Sequence, residues 1–280
     1  MLQKDLFNNV SSLKKPFLRW TGGKNWLIPE LMKIISKVEF NNYYEPFLGG
    51  GSVFFALNTD QKSFLSDFNH ELINAYSQVK NNPELVINYL KDFPQNKEFY
   101  YDLRERELSN GIINAAKFIY LNKTSFNGIY RVNRNGKYNV PYGKRTFNIE
   151  IISESIYSCS NQLQNAYLES MDFNDSLSRI KKNDLVYLDP PYTITHNNNG
   201  FVEYNEKIFS IIDQNRLSET IKKIKDKKAY YILSNAYHPI VKDIYDIFGD
   251  KVLTLSRRSI MSGKTATKSS YKEYLFTNIP

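Results

Sequence analysis

Cysteine is nearly absent from this chain of 280 residues; Cys159 is the only one. An internal disulfide is thereby excluded, and so is a cysteine-based metal cluster. Histidine is scarce too. His70, His196 and His238 stand singly, which speaks against a zinc centre and predicts a metal-free site. No apolar run approaches the roughly 20 residues that cross a bilayer, and the N-terminal residues lack the apolar core of a secretion signal. These absences predict a cytoplasmic protein with no membrane partner. There is no internal repeat, no long linker and no G-x-G-x-x-G dinucleotide fingerprint. Acidic residues are missing from a whole window. None lies between Glu107 and Glu150, where Lys117, Lys123, Arg131, Arg134, Lys137, Lys144 and Arg145 all fall.

What the chain does have is positive charge. The net charge is +8 and the isoelectric point about 9.2, which favours a polyanionic partner. A solvated face is the bland reading of any basic run, but a long acid-free window is harder to read that way. The C-terminal stretch adds Arg257, Arg258, Lys264, Lys268 and Lys272 against Glu273 alone. The length suits one large domain or a domain with a sizeable insertion.

Apolar runs of strand length fall at 43–44, 62–67, 166–170, 184–189, 229–234, 251–255 and 273–277. Helical spacing occupies 26–35, dominates from about 71 to 121 and returns over 214–224, and a further helix starts at 53–57. Residues 124–143 read as a loop or short hairpin, with Asn135-Gly136 as its turn. Residues 1–15 are polar and read as a frayed end. Alternating strand and helix predicts an α/β sheet. The expected division is a catalytic domain of 1–75 and 151–280, with 76–150 inserted as a mostly helical domain.

Three places carry chemistry. Asp189-Pro190-Pro191-Tyr192 closes the apolar run 185–188. Neither proline has an N–H to donate, so the strand ladder stops there in a rigid turn. A carboxylate, a carbonyl and an aromatic face project from that turn, a set suited to a flat ring bearing an amine. A plain surface turn is the competing reading. Glu45-Pro46-Phe47-Leu48-Gly49-Gly50-Gly51-Ser52 has the strand, glycine turn and helix layout of nucleotide loops, in which missing Cβ atoms let backbone approach a ligand. The run 62–67 ends in Asp67, where such folds hold ribose hydroxyls. Taken alone, Asp67 reads better as the N-cap of the helix that starts near Glu71.

The order of these pieces resembles a known family. Phe17-Leu18-Arg19-Trp20-Thr21-Gly22-Gly23-Lys24, the glycine loop, Asp67 and the Asp-Pro-Pro-Tyr turn are similar to DNA adenine-N6 methyltransferases of the alpha group, Dam type, the D12 class. The likeness runs over nearly the whole chain. Phe126-Asn127-Gly128-Ile129-Tyr130-Arg131-Val132-Asn133, followed by Asn139-Val140-Pro141-Tyr142-Gly143, resembles that family's DNA-reading segment. Arg257-Arg258-Ser259-Ile260 matches one branch. The resemblance implies a Rossmann-like methyltransferase sheet with an inserted DNA-recognition domain. It also implies an S-adenosylmethionine site built from Trp20, Lys24, Glu45, Pro46, Phe47, Gly49, Gly51, Asp67, Asp172, Phe173 and Asp189. Acids at strand ends suit a sulfonium, an ammonium and a ribose diol. Trp20 reads almost as well as core, and Lys24 as a solvated residue at a helix start.

The expected chemistry is methyl transfer to adenine N6. Asp189 and the Pro190 carbonyl accept hydrogen bonds from the amine, Pro191 stiffens the turn, and Tyr192 stacks on the ring, with no metal and no covalent enzyme intermediate. The target base has to be flipped out of the duplex. The resemblance makes Phe126 the wedge and Arg131 the bidentate reader of a guanine, with Ile129 and Pro141 against thymine methyls and Asn127 and Asn133 beside them. Core packing competes for Phe126 and Ile129. Lys123, Arg134, Lys137, Lys144 and Arg145 are expected on phosphates. GATC is the leading target, although GATC enzymes of the family often carry Lys where this chain has Arg19. Double-stranded DNA is the expected partner, with a cognate restriction endonuclease and a monomer or weak dimer. Three rivals stay open: cytosine-N4 methylation, where the turn is more often Ser-Pro-Pro-Tyr; RNA or protein-amide methylation, which favours Asn there; and a non-catalytic DNA-binding protein on the same scaffold.

Overall fold

The computed structural model describes residues 16–133, 135–193, 209–260 and 268–280. The expectations for residues 1–15, Arg134, His196 and Lys264 lie outside the described residues. Among the described residues, seven strands appear where the apolar runs predict them: β1 (Tyr43–Glu45), β2 (Ser63–Asp67), β3 (Ala166–Ser170), β4 (Leu185–Leu188), β5 (Tyr230–Ala236), β6 (Lys251–Ile260) and β7 (Lys268–Thr277). Their order in the sheet is β3-β2-β1-β4-β5-β7-β6. β1, β4 and β5 run parallel, with Tyr44 opposite Val186 and Val186 opposite Tyr231. β7 is antiparallel to both β5 and β6. Every residue of β4 is buried, which is why its sequence is continuously apolar rather than alternating.

Ten α-helices lie among the described residues: α1 (Ile28–Ile35), α2 (Ser52–Leu57), α3 (His70–Asn81), α4 (Pro83–Asp92), α5 (Lys97–Glu105), α6 (Gly111–Thr124), α7 (Ile149–Leu163), α8 (Phe173–Ser176), α9 (Ile211–Asp226) and α10 (Pro239–Tyr245). Asparagine caps several of them. Asn69, Asn96, Asn110 and Asn148 each accept a first-turn N–H with the side-chain oxygen, satisfying donors the helix itself leaves open. The cap of α3 is therefore Asn69, and the reading of Asp67 as that cap is corrected. The sequence reading had no helix at α7 or α10. In α7 the buried Ile152, Ile156, Cys159 and Leu163 keep helical spacing. Exposed Ile151 and Tyr157 blur that stripe.

By compactness the chain divides into two units. One comprises the described residues of Met1–Ile28, Leu48–Asp60 and Leu65–Met171, and the other those of Pro29–Phe47, Gln61–Phe64 and Asp172–Pro280. The first carries α2 to α7, the second β4 to β7 with α8 to α10. The core of the second unit packs Tyr44, Val186, Leu188, Leu217, Tyr231, Leu233 and Phe276, among others. In that unit the strand order reverses between β1 and β4. Doubly wound sheets hold ligands outside the carboxyl ends of their strands at such a reversal. Glu45 ends β1 and Asp189 follows β4 directly. Among the described residues, no helix is long and apolar enough to cross a membrane.

Candidate functional site

The corner 189–192 forms as its prolines dictate. β4 ends at Leu188 and none of the four residues is helical or paired in the sheet. Pro190 is buried; Asp189, Pro191 and Tyr192 are half-buried. Asp189 Oδ1 accepts a hydrogen bond from the Ser234 hydroxyl at 2.8 Å. Burial first, then the carboxylates of Asp189 and Glu273, hold the Tyr192 hydroxyl well above the usual phenol range. Tyr192 is thus neutral and offers an aromatic face rather than a phenolate. The next residue locks the corner. The buried Thr193 hydroxyl donates to the Phe209 carbonyl at 2.7 Å and accepts from Gln214 Nε2 at 2.9 Å. Gln214 in turn accepts from Asn235 Nδ2 and the Tyr245 hydroxyl.

Glu45 is almost fully buried, and Tyr43 donates to its Oε2 at 2.7 Å. Pro46 is buried. Phe47 meets Phe173 at 5.3 Å and Phe209 at 5.6 Å between ring centres. Asp172 caps the short α8, accepting the Asn174 N–H at 2.9 Å. Arg216 of α9 braces the pair. It bonds Asp172 Oδ1 at 2.9 Å and lies 5.0 Å over the Phe173 ring.

The glycine loop and Asp67 form a second cluster. Asp67 Oδ2 accepts the Gly49 N–H at 3.0 Å and Oδ1 accepts the Asn69 N–H at 3.0 Å. The carboxylate therefore pins the loop. Burial raises the Asp67 carboxyl above its ordinary 3.8, against the lowering effect of the N–H groups of Asn69, Gly49 and Phe68. Gly49 and Gly51 take positive φ, at 47° and 64°, a conformation glycine adopts without strain. The Gly49 carbonyl accepts from the Tyr76 hydroxyl at 3.0 Å. Trp20 stacks on Tyr130 at 5.7 Å and on Phe118 at 6.4 Å. Lys24 is buried, 3% exposed, and its N–H reaches Ser52 Oγ. That corrects the reading of Lys24 as a solvated helix-start residue. Phe68, directly after Asp67, is 83% exposed.

The expected DNA-reading segment is built as a hairpin after α6. Ser125 bridges Tyr142 and Val132 bridges Tyr138. At its tip the Asn133 carbonyl accepts the Gly136 N–H, while Asn133 Oδ1 takes the N–H groups of Asn135 and Lys137. Asn133 is therefore occupied in shaping the turn. Phe126 is 54% exposed, so it is not core. Ile129 is half-buried; Asn127, Arg131, Pro141 and Lys144 are exposed. Arg131 is held ready by Asn139, with Nε 2.8 Å from Oδ1. Arg19 is exposed, but its backbone is clamped. Asn122 Oδ1 accepts the Arg19 N–H at 2.8 Å, and Asn122 Nδ2 donates to the Arg19 carbonyl at 2.7 Å and the Gly128 carbonyl at 3.3 Å.

A cavity of about 620 Å³ opens beside Arg19, lined among others by Trp20, Ser52, Lys123, Asn148 and Ser155 and, among the described residues, by no acidic side chain. Burial, then the Arg19 charge, lowers the Lys123 ammonium to about 8, with Cys159 acting weakly the other way. Sequence reasoning did not single out Ser234, Gln214, Asn122 or Arg216. Each is a polar residue on a helix or strand whose partner lies far away in sequence. The visible signal was an Asn directly after the apolar run 118–121 and a Ser-Asn pair closing the apolar run 229–233.

Comparison with known proteins gives a consistent picture. The model of one family, D12 class N6 adenine-specific DNA methyltransferase, matches residues 20–260. The chain is similar to the type II methyltransferase M1.LlaDCHI of Lactococcus lactis subsp. cremoris, 34% identical over 288 residues, covering 99% of this chain and 98% of that protein. It is similar to the type II methyltransferase M.MjaIII of Methanocaldococcus jannaschii, at 33% identity over 94% of this chain and 99% of that one. A DNA adenine methylase of Salmonella typhi is 31% identical, over 91% of this chain and 92% of the other.

Proposed function

This chain belongs to the D12 class of N6 adenine-specific DNA methyltransferases, and from that membership we propose which of its own residues perform the reaction. The enzyme methylates adenine in DNA. Asp189 and the Pro190 carbonyl accept hydrogen bonds from the adenine amine, whose lone pair is otherwise delocalised into the ring. Those bonds raise the electron density on N6. Pro191 keeps the turn rigid, and Tyr192 stacks on the flipped base and fixes its plane. The observation that carries this reading is the half-buried Asp189, anchored by Ser234 just past β4 at the reversal of strand order.

The donor set fits S-adenosylmethionine. Glu45 and Asp189 at strand ends suit its cationic groups, Asp67 suits a ribose diol, and the exposed face of Phe68 suits an adenine. When bound, this cofactor supplies the methyl group. Lys24, Trp20, Pro46, Phe47, Gly49, Gly51, Asp172 and Phe173 complete the proposed cofactor-binding set. The proposed recognition domain is 76–150. In it Phe126 fills the place of the flipped base, Arg131 reads guanine from the major groove, Asn127, Ile129 and Pro141 flank it, and Lys144 meets phosphate. Asn133 shapes the hairpin that presents them, and Arg19, outside that block, addresses a second guanine. GATC is the proposed site. The type II methyltransferase names of the first two relatives support a restriction-modification role; a cytoplasmic location, a cognate endonuclease and a monomer or weak dimer are proposed beside it.

The test is labelled-methyl transfer to duplex DNA followed by nucleoside analysis. The Asp189→Ala variant is expected to lose at least a hundredfold in turnover, on the order of what removal of one preorganised transition-state group costs. It should keep its fold and weak DNA binding. Wild-type turnover in that variant would refute the assignment. Methylated deoxycytidine in place of methylated deoxyadenosine would favour the cytosine reading instead. For the target, unchanged site preference in both Arg19→Ala and Arg131→Ala would refute their reading roles.

A further inference from the structure

We propose that Ser234, backed by Tyr187, is a positioning residue for methyl transfer that holds the Asp189 carboxylate in one orientation and one charge state. The proposal rests on Asp189 as the acceptor of the adenine amine. Ser234 lies in β5 and Tyr187 in β4, on adjacent parallel strands. Both are buried, at 0% and 1% exposure. Ser234 Oγ is 2.8 Å from Asp189 Oδ1 and 3.0 Å from the Tyr187 hydroxyl.

A serine hydroxyl has one proton to donate, and an ionised carboxylate can only accept. The Ser234 proton is therefore committed to Asp189. In the other contact Tyr187 has to be the donor. Burial first, then the Asp189 charge, keeps the Tyr187 hydroxyl well above the usual phenol range, so it retains the proton it donates. The chain from Tyr187 through Ser234 to Asp189 is polarised toward the carboxylate, and each bond strengthens the next.

Two effects on the reaction follow. A carboxylate held by a buried hydroxyl presents a preset acceptor to the incoming amine, with its ordering cost already met in the free enzyme. Donation to the ionised form also favours that form. Opposing charge is close at hand. Glu45 of β1 and Glu273 of β7 act on Tyr187, and Glu273 acts with Asp189 on Tyr192. Their negative charge disfavours ionisation of Asp189, and the proton donated by Ser234 counters it. A protonated Asp189 would offer a donor on an oxygen where the amine needs an acceptor.

Steady-state methylation of duplex DNA by Ser234→Ala, Ser234→Thr and Tyr187→Phe, from about pH 5 to 9, tests this. Ser234→Ala is expected to lose roughly tenfold or more in kcat, the scale of one hydrogen bond to a charged group. KM for both substrates should stay near wild type, and the acidic limb of kcat should move to higher pH. Tyr187→Phe should move it the same way by less, and Ser234→Thr should restore it. Wild-type kcat and an unshifted acidic limb in Ser234→Ala, with Asp189→Ala inactive, would overturn the positioning role alone. Normal turnover by Asp189→Ala would instead remove the assignment on which this role rests. If Ser234→Ala fails to fold, Tyr187→Phe, which differs by one oxygen, decides: an unshifted acidic limb there overturns the proposal.

Discussion

Trp20 leaves no room for a side chain at Gly50. A Cβ there would stand 2.7 Å from the Trp20 Cβ, and one at Gly49 would stand 2.8 Å from the indole Nε1. The glycines thus serve the protein's own packing before any ligand arrives. Gly50→Ala must displace either the indole or the loop. We expect it to weaken cofactor binding about tenfold or more while destabilising the fold by about 1–3 kcal/mol, the usual cost of overpacking. Quenching of tryptophan fluorescence by S-adenosylmethionine, with a parallel thermal melt, measures both. Unchanged affinity would mean that the loop can move without consequence.

Asn122 ties three backbone groups together with one buried amide. Asn122→Ala leaves the Arg19 N–H and the Arg19 and Gly128 carbonyls without it. The expected loss is about 2–4 kcal/mol on denaturant unfolding, a sum of groups left unsatisfied in the interior. Asn122→Asp should be worse, because it turns an oxygen toward the two carbonyls that now accept from Nδ2. Both variants should also relax site selectivity, since Asn122 holds Arg19 and the turn at Gly128 together. A loss under about 1 kcal/mol with intact selectivity would refute the clamp.

On the expected phosphate contact of Lys123, DNA binding should carry a pH dependence with a defined sign. Its ammonium, lowered to about 8 by burial and Arg19, loses its proton in the free protein as pH rises through that value. A bound phosphate favours the charged form, so binding takes up a proton there. Affinity for duplex DNA at constant ionic strength should therefore fall between about pH 7 and 9, more steeply in wild type than in Lys123→Arg, whose guanidinium stays charged. Parallel slopes by fluorescence anisotropy would separate Lys123 from the phosphates.

Three of the strands were legible because their apolar runs end at or just before a carboxylate, Glu45, Asp67 or Asp189, which leaves few other readings. β2 and β4 closed at Asp67 and just before Asp189, as the sequence predicted. β6 and β7 reach further than expected, to Ile260 and from Lys268, because they pair with each other through a ladder that polar residues can extend. Lys24 was legible as a cation but not as a buried one. Asp67 was legible as the acid that ends a strand, but its bond to Gly49 was not. The roles of Asn122 and Ser234 were hidden for a different reason. Each is a buried polar residue on a largely apolar element, and its partner lies 103 or 45 positions away. Spacing along a chain carries information about neighbours on one helix or strand, and none about such closures.

The parallel pairing of β1 with β4 has a consequence for assembly. Beside it, Asn42 reaches Asp184 across 142 residues of sequence. Contacts of such long range form late and slowly, since the loop they close must be ordered first. An emerging chain therefore carries Glu45 long before it has an Asp189 to set beside it. On the role proposed for Asp189, a chain that stops short of that residue is expected to transfer no methyl group, however well its first strands form.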